Sequence, residues 1–457
     1  MSEDATLDEF VKNEENPSNL ELGPIEINIP PKWDSEELSD LFNLISGNNY
    51  TGEHLSEEDN GGRVFLTLKS VNKGGGFNQD SIKYYTGEVN QREIVEPGEL
   101  LIANTDVTQD GDIVGYSIRV PEFESEREIA ASMDLSILRP KTKDVNLPYI
   151  EHLLQTEYIH SRMRAFSAGS TVLHLNTDLV KSLSLPLPPL PEQRKIATVL
   201  STVDRAIEKS EEVIAQTERL REGAMQDLFS RGVRGYDDFQ ETKYGIIPAS
   251  WEVKPVREIA DRIGSGGTPN TDKEGYYGGD IEWVKTDDLN SGLVESAKTT
   301  ITSRGLDESA AKLFPEGTVV FAMYGGALGQ NGRLGMEAAM NQACCGIVTD
   351  ESEMNSYLLH QQLIHRKKQL TALSAGTHQQ NISQSMIEKF EVFVPPLDEQ
   401  MEMVDILKSI ERTMEANTNE KERLKRLKHG LMQDLLSGTA RTTDTNIEVP
   451  EEIAQYG

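Results

Sequence analysis

Two stretches of the chain carry apolar residues that step by alternating fours and threes. In the first they are Ile196, Leu200, Val203 and Ile207, then Ser210, Ile214 and Thr217, with Ala224 and Leu228 further on. The second runs through Met403, Leu407, Ile410 and Met414, then Asn417 and Lys421, and on through Leu424, Leu431 and Leu435. This spacing predicts two coiled-coil seams with polar middles. Each stretch has room for about 40 residues, hence a helix about 60 Å long at the α-helical rise. A lone helix exposing such a stripe is unstable in water, so each needs a partner.

Both stretches open alike. "LPPLPEQRKIATVL" (187–200) returns 207 positions later as "VPPLDEQMEMVDIL" (394–407), and "REGAMQDLFS" (221–230) as "KHGLMQDLLS" (428–437). One ungapped register holds from Ser167 to Arg234 and from Ser374 to Arg441. Upstream the match is looser: "PPKWDSEELSDL" resembles "IPASWEVKPVREIA", and "EPGELLIAN" resembles "PEGTVVFAM". The double prolines close an extended segment, and Pro191-Glu192 and Asp398-Glu399 begin helices with acids where the dipole favours them.

The expected plan is an α+β chain with a pseudo-twofold internal repeat. It comprises an acidic tail (1–29), a globular domain (30–185), a helix (186–232), a linker (233–246), a second globular domain (247–393), a second helix (394–441) and a polar tail (442–457). Both tails are expected to be mobile. Because helix 1 leads directly into the second domain, the two helices are expected to pair antiparallel as a spacer with one domain at each end.

Composition narrows the class. A chain of 457 residues with 37% hydrophobic content can bury more than one core, while its formal charge of −31 is extreme. There is no secretory signal and no apolar run near eighteen residues, which predicts a soluble cytoplasmic protein. Adjacent Cys344 and Cys345 are read as small buried residues, since no Cys or His cluster has zinc spacing. No metal site is expected.

The layout, the paired "PPL.EQ" helix starts, the "MQDL[FL]S" helix ends and the opening "IPASWEV...GSGGTPNTDKEGYYGGDIEWVKTDDL" together resemble the specificity subunit of type I restriction-modification enzymes over residues 31–441. The resemblance implies two target-recognition domains, each reading half of an asymmetric double-stranded DNA sequence. It implies docking of two adenine-N6 methyltransferase subunits and of ATP-dependent restriction subunits. S-adenosylmethionine, ATP and magnesium then belong to those partners, and this chain carries no cofactor and no active site. It also implies that Pro189, Leu190, Glu192 and Gln193, with Pro396, Leu397, Glu399 and Gln400, serve architecture and subunit docking.

The residues agree on catalysis: there is no "GxxxxGK[ST]" phosphate loop, no "[DNS]PP[YF]" motif and no "HExxH". The glycine-rich "GSGGTP" and "YGGALGQNGRLG" lack dinucleotide spacing and read as turns. His174 and His378 are expected to pack in loops. DNA contacts are expected from Lys69, Asn72, Lys73, Asn78, Gln79, Lys83, Tyr84 and Tyr85 in the first domain. In the second they are expected from Lys273, Tyr276, Tyr277, Lys285, Tyr324, Gln330, Asn331 and Arg333. Amides and arginines can bond base edges, and lysines can meet phosphates.

The negative charge runs against the usual basic DNA-binding surface. One account is adaptation to a halophilic cytoplasm; the other is an acidic face for basic partner subunits. Two alternatives to the restriction role remain open at this level: a methylation-only complex, and a coiled-coil scaffold without DNA function.

Overall fold

A computed structural model describes residues 18–21, 26–108, 110–123, 127–374 and 381–455. Most of the expected acidic tail, and His378, lie outside them. The contacts divide the chain into two units: Met1–Ser210 with Asn419–Gly457, and Glu211–Thr418. Each is mixed α+β, and each takes part of both long helices, Leu190–Arg231 and Leu397–Leu436.

Unit 1 holds a four-stranded antiparallel sheet ordered Ser117–Arg119, Leu100–Ala103, Leu135–Pro140, Phe42–Ser46. Beside it lies a five-stranded sheet ordered Leu55–Ser56, Lys83–Tyr85, Arg63–Leu66, Ile129–Ala131, Ile94–Val95, in which Arg63–Leu66 and Ile129–Ala131 run parallel. Residues of the two sheets, among them Val64, Leu101, Ile118 and Ile137, share one core. The other face of the four-stranded sheet packs on the helix Leu147–Leu154 and on Ile196, Ala197 and Leu200, which meet Leu435 and Leu436 of the second long helix. The start of the first helix thus lies beside the end of the second, and Lys428 Nζ bonds Asp204 Oδ1 at 2.6 Å between them.

Unit 2 repeats the plan. Its five-stranded sheet runs Ala260–Ser265, Cys344–Thr349, Val319–Ala322, Asn331–Leu334, Leu293–Val294, and its four-stranded sheet Thr300–Ile301, Tyr277–Val284, Ala338–Met340, Leu313–Phe314. Met225, Leu228 and Phe229, from the end of the first helix, share a core with Met403, Val404 and Leu407 from the start of the second. The helices are therefore antiparallel in both units, as expected from connectivity. The apolar stripe is their inner face: Ile196, Leu200, Leu228, Met403, Leu407 and Leu435 are buried. Cys344 and Cys345 are free and buried in a strand of unit 2.

The linker region contains a hairpin, Phe239–Thr242 with Gly245–Pro248. One expectation is corrected here. The polar tail is not loose over residues 442–455 but is laid against unit 1. Lys195 Nζ donates to the carbonyls of Thr442, Thr443 and Thr445 at 3.1, 3.1 and 2.8 Å. Asn146 Nδ2 donates to the Ile453 carbonyl at 2.8 Å, and Ile453 is 5% exposed in the unit 1 core. Shortening Ile453 to alanine leaves a cavity under this strap and is expected to cost unit 1 about 2 kcal/mol, read as a lowered midpoint in thermal unfolding. An unchanged midpoint would show the strap to be dispensable.

Candidate nucleic-acid interface and helix junctions

The repeated "PPL.EQ" turns inward. Gln193 accepts from the Asn146 backbone N–H at 2.8 Å and donates to the carbonyls of Asp144 and Pro188 at 3.0 and 2.8 Å. Gln400 repeats all three contacts with Asn355 N–H, Glu353 O and Pro395 O at 2.8, 2.9 and 2.9 Å. Glu192 accepts from the Trp33 indole at 3.2 Å, and Glu399 from the Trp251 indole at 3.0 Å. Each pair ties the first residues of a globular domain, the helix after its sheets and the start of a long helix into one buried knot.

The second acceptor oxygen is used differently in the two knots. Arg441 grips Glu192 with two bonds of 2.8 Å. Its repeat partner Arg234 instead meets Asp398 and Glu402 at 2.8 and 2.9 Å, because those acids stand where the first copy has Pro191 and Lys195. Glu399 is left to accept from Val233 N–H at 3.1 Å and from the Tyr236 hydroxyl. Glu192, Gln193, Glu399 and Gln400 are buried, with their side chains taken up by these bonds within the chain; Pro189, Pro396 and Leu397 are exposed and Leu190 is half-buried.

The nominated DNA contacts fall into three groups: exposed, half-buried and interior. Lys69, Asn72, Lys73, Gln79 and Lys273 are exposed, and Asn78, Lys83, Tyr84, Tyr277, Lys285, Tyr324, Gln330 and Arg333 are half-buried. Several are already engaged: Lys73 pairs with Asp112 at 2.6 Å, which raises its pKa, and Lys83 with Glu57 at 3.2 Å. Asn72 and Asn78 donate to the carbonyls of Phe77 and Lys69, fixing their own loop. Lys273 bonds the Tyr276 hydroxyl at 2.8 Å, which raises its pKa, and Lys285 lies 5.1 Å from the Trp283 ring.

Tyr85, Tyr276 and Asn331 are interior residues, which corrects their nomination as DNA contacts. Tyr85 stacks on Phe65 at 4.7 Å, and the Tyr276 hydroxyl bonds Glu308 at 2.6 Å. Asn331 Oδ1 lies 2.9 Å from Nε2 of buried His360. Strand alternation sends every second side chain inward, so an aromatic or amide inside a polar stretch can still be core. His174, expected to pack, is exposed on the strand Leu173–Leu175. Among the described residues no group of three metal-ligating side chains could hold an ion, and no helix is long and apolar enough to cross a membrane.

His360 also sets a pH dependence. Burial, then the charges of Arg333 and Arg221, push its pKa down to about 3, and burial lowers that of His152 in unit 1 well below the usual value. The unfolded chain therefore takes up these protons first. The neutral-imidazole contribution is complete above about pH 6.5 and is lost as pH falls toward the folded values, about 2 kcal/mol from His360 by pH 5. Thermal midpoints measured from pH 7.5 to 5 should fall, and less steeply for His360→Gln. Equal slopes for the variant and the unaltered chain would contradict this assignment.

The comparisons with known proteins agree with the repeat. The family model described as the type I restriction modification DNA specificity domain matches twice, over residues 30–219 and 248–426. The type I restriction enzyme MjaVIII specificity subunit of Methanocaldococcus jannaschii is 23% identical over 429 residues, spanning 92% of this chain and 96% of that protein. The EcoR124I/EcoR124II specificity subunit of Escherichia coli is 26% identical over 234 residues, 50% of this chain and 55% of that one. Among solved structures, the S subunit of a type I restriction-modification system from M. genitalium superposes with a TM-score of 0.57 at 14% identity, covering 92% of this chain and 99% of its own. A structure described by the assembly and conformational transition of the type I system gives 0.54 at 16% identity, covering 90% and 99%. With its two domain-and-helix halves both matched, this chain belongs to the type I restriction-modification DNA specificity family.

Proposed function

We propose that the chain is the non-catalytic DNA-reading subunit of a type I restriction-modification complex, each globular domain reading one half of a split, asymmetric duplex target and the paired helices setting the gap. The observation that carries this is the helix junction built twice with the same Trp–Glu and Gln bonds, joined to domains whose exposed loops differ. In this reading the methyltransferase and restriction subunits dock on the chain and bring S-adenosylmethionine, ATP and magnesium. The family's names for its relatives, the absence from the sequence of a phosphate loop or methyltransferase motif, and the twofold repeat support it.

The charge of −31 supports a working environment of high salt, with binding that leans on base edges, shape and bridging water more than on phosphate neutralisation. The assembled complex should keep its affinity for cognate duplex in molar salt; best binding at low ionic strength with collapse at molar salt would remove the halophilic element. The function itself is tested by mapping modified adenines in the host genome. One bipartite motif that vanishes when this chain is deleted is the expected result; no motif, or one unaffected by deletion, would overturn it.

A further inference from the structure

Both units form the same loop junction at the ends of their sheet strands. In unit 1, Gly47 N–H bonds Leu135 O at 3.0 Å, Asn48 N–H bonds Ala131 O at 2.7 Å, Asn104 N–H bonds Asp134 O at 2.7 Å and Leu175 N–H bonds Asn104 O at 2.8 Å. In unit 2 the matching bonds are Gly266 to Cys344 at 3.2 Å, Gly267 to Met340 at 2.9 Å, Met323 to Ala343 at 2.8 Å and Ile382 to Met323 at 2.8 Å. The glycines are required by the close approach. A Cβ on Gly47 would sit 2.2 Å from Ser132 O, and one on Gly266 would sit 2.0 Å from Met340 O. These bonds bring together three loops distant in sequence, around residues 104–108, 132–134 and 174 in unit 1 and around 323–326, 341–343 and 381 in unit 2.

The side chains presented by this shared scaffold differ in chemistry. Met133, 48% exposed, stands where unit 2 has Gln342, also exposed. Exposed His174 stands where unit 2 has exposed Asn381. On the 104–108 loop, whose Asn104 Nδ2 donates to the Met133 carbonyl, the first unit adds Val107, 68% exposed, while in unit 2 the Gln342 carbonyl oxygen accepts from the Thr268 hydroxyl, which orients its amide. A surface meant for one kind of partner subunit would keep its chemistry in both copies, as the Trp–Glu–Gln junctions do. A fixed backbone carrying Met133, Val107 and the His174 imidazole in one copy and two amides in the other suits two different base sequences.

Resting on the DNA-reading function proposed above, we infer that Met133 and Gln342 are corresponding specificity-determining positions. Met133, with Val107, takes an apolar base-edge group of the thymine-methyl kind. Gln342, flanked by Asn381, takes a purine edge that offers both an acceptor and a donor, as adenine does in the major groove.

The test is selection of duplexes, from a pool randomised across the target, by the complex assembled with the full-length chain, its Met133→Gln variant or its Gln342→Met variant. Both positions are exposed, so thermal unfolding should be unchanged and serves as the folding check. Met133→Gln should shift base preference about tenfold at one or more positions of one half-site only, and Gln342→Met should do so only in the other. If the unaltered complex returns a split motif and both variants return the same motif, the inference fails while the reading function stands. Weakening that is uniform across all sequences, or loss of subunit assembly with unchanged preferences, would equally overturn it, assigning these positions to phosphate contact or to partner docking. If the unaltered complex returns no split motif, the reading function fails and this inference with it.

Discussion

Replacing Glu399 by alanine is expected to destabilise unit 2 by about 4 kcal/mol, because three donors lose their acceptor at once, one of them buried and two half-buried. Those donors are the Trp251 indole, the Val233 N–H and the Tyr236 hydroxyl. Glu399→Gln keeps one acceptor oxygen but turns an amide N–H toward a donor, so its loss should be about half as large. In unit 1, Glu192→Ala strips Arg441 and Trp33 of their shared acceptor. Arg441 retains 27% side-chain exposure and can recover part of its solvation, so about 3 kcal/mol is expected there. Chemical denaturation of the three variants checks the ranking. A loss below about 1 kcal/mol for Glu399→Ala would mean that the junction is ordinary surface.

Exchanging residues 31–185 for the matching region of a relative should replace one half-site of the DNA target and leave the other half and the gap unchanged. The junction makes the graft feasible. Its bonds run through backbone groups and through side chains written into both copies, Gln193 to Asn146 N–H and Gln400 to Asn355 N–H. Trp33 travels with the graft and its acceptor Glu192 stays with the helix, so the incoming domain must supply an indole at the same place. The bond from the Tyr149 hydroxyl to the Pro186 carbonyl, 2.9 Å, crosses the graft boundary and should be preserved. Competition binding with duplexes changed in either half reads the outcome. A change in both halves, or in neither, would contradict the assignment of one domain to one half-site.

Much of this architecture is legible in the sequence because it is local. The double proline, the following helix and its four-and-three apolar stripe are contiguous, and Ile196, Leu200, Met403 and Leu407 are buried where the stripe places them. The antiparallel pairing followed from chain connectivity together with the expectation that the second domain's ends lie close together. What the sequence concealed depends on distant pairing. Glu192 and Glu399 read as acids favoured by a helix dipole, yet their side chains turn inward because Trp33 and Trp251, 159 and 148 positions away, supply indole donors. Ile453 is one of a few scattered apolar residues in a polar stretch, with no period to mark it as core.

The candidate DNA contacts were less legible still. Composition favours lysines and amides, but composition does not say which side of a strand a residue faces. Tyr85, Tyr276 and Asn331 consequently went to the interior, and Lys73 and Lys83 to local carboxylates. Met133 and Val107 carry neither charge nor amide. Only the backbone bonds that bring their loops together, four of them repeated in unit 2, draw notice to them.

The central claim is that one chain reads two different short sequences across a fixed gap. Selection from a fully randomised duplex pool by the complex assembled on the unaltered chain tests it most directly. Two unlike blocks of specified bases separated by an unspecified stretch of constant length are the expected result. A single continuous motif, two identical blocks, or a gap that varies freely among the selected duplexes would contradict it.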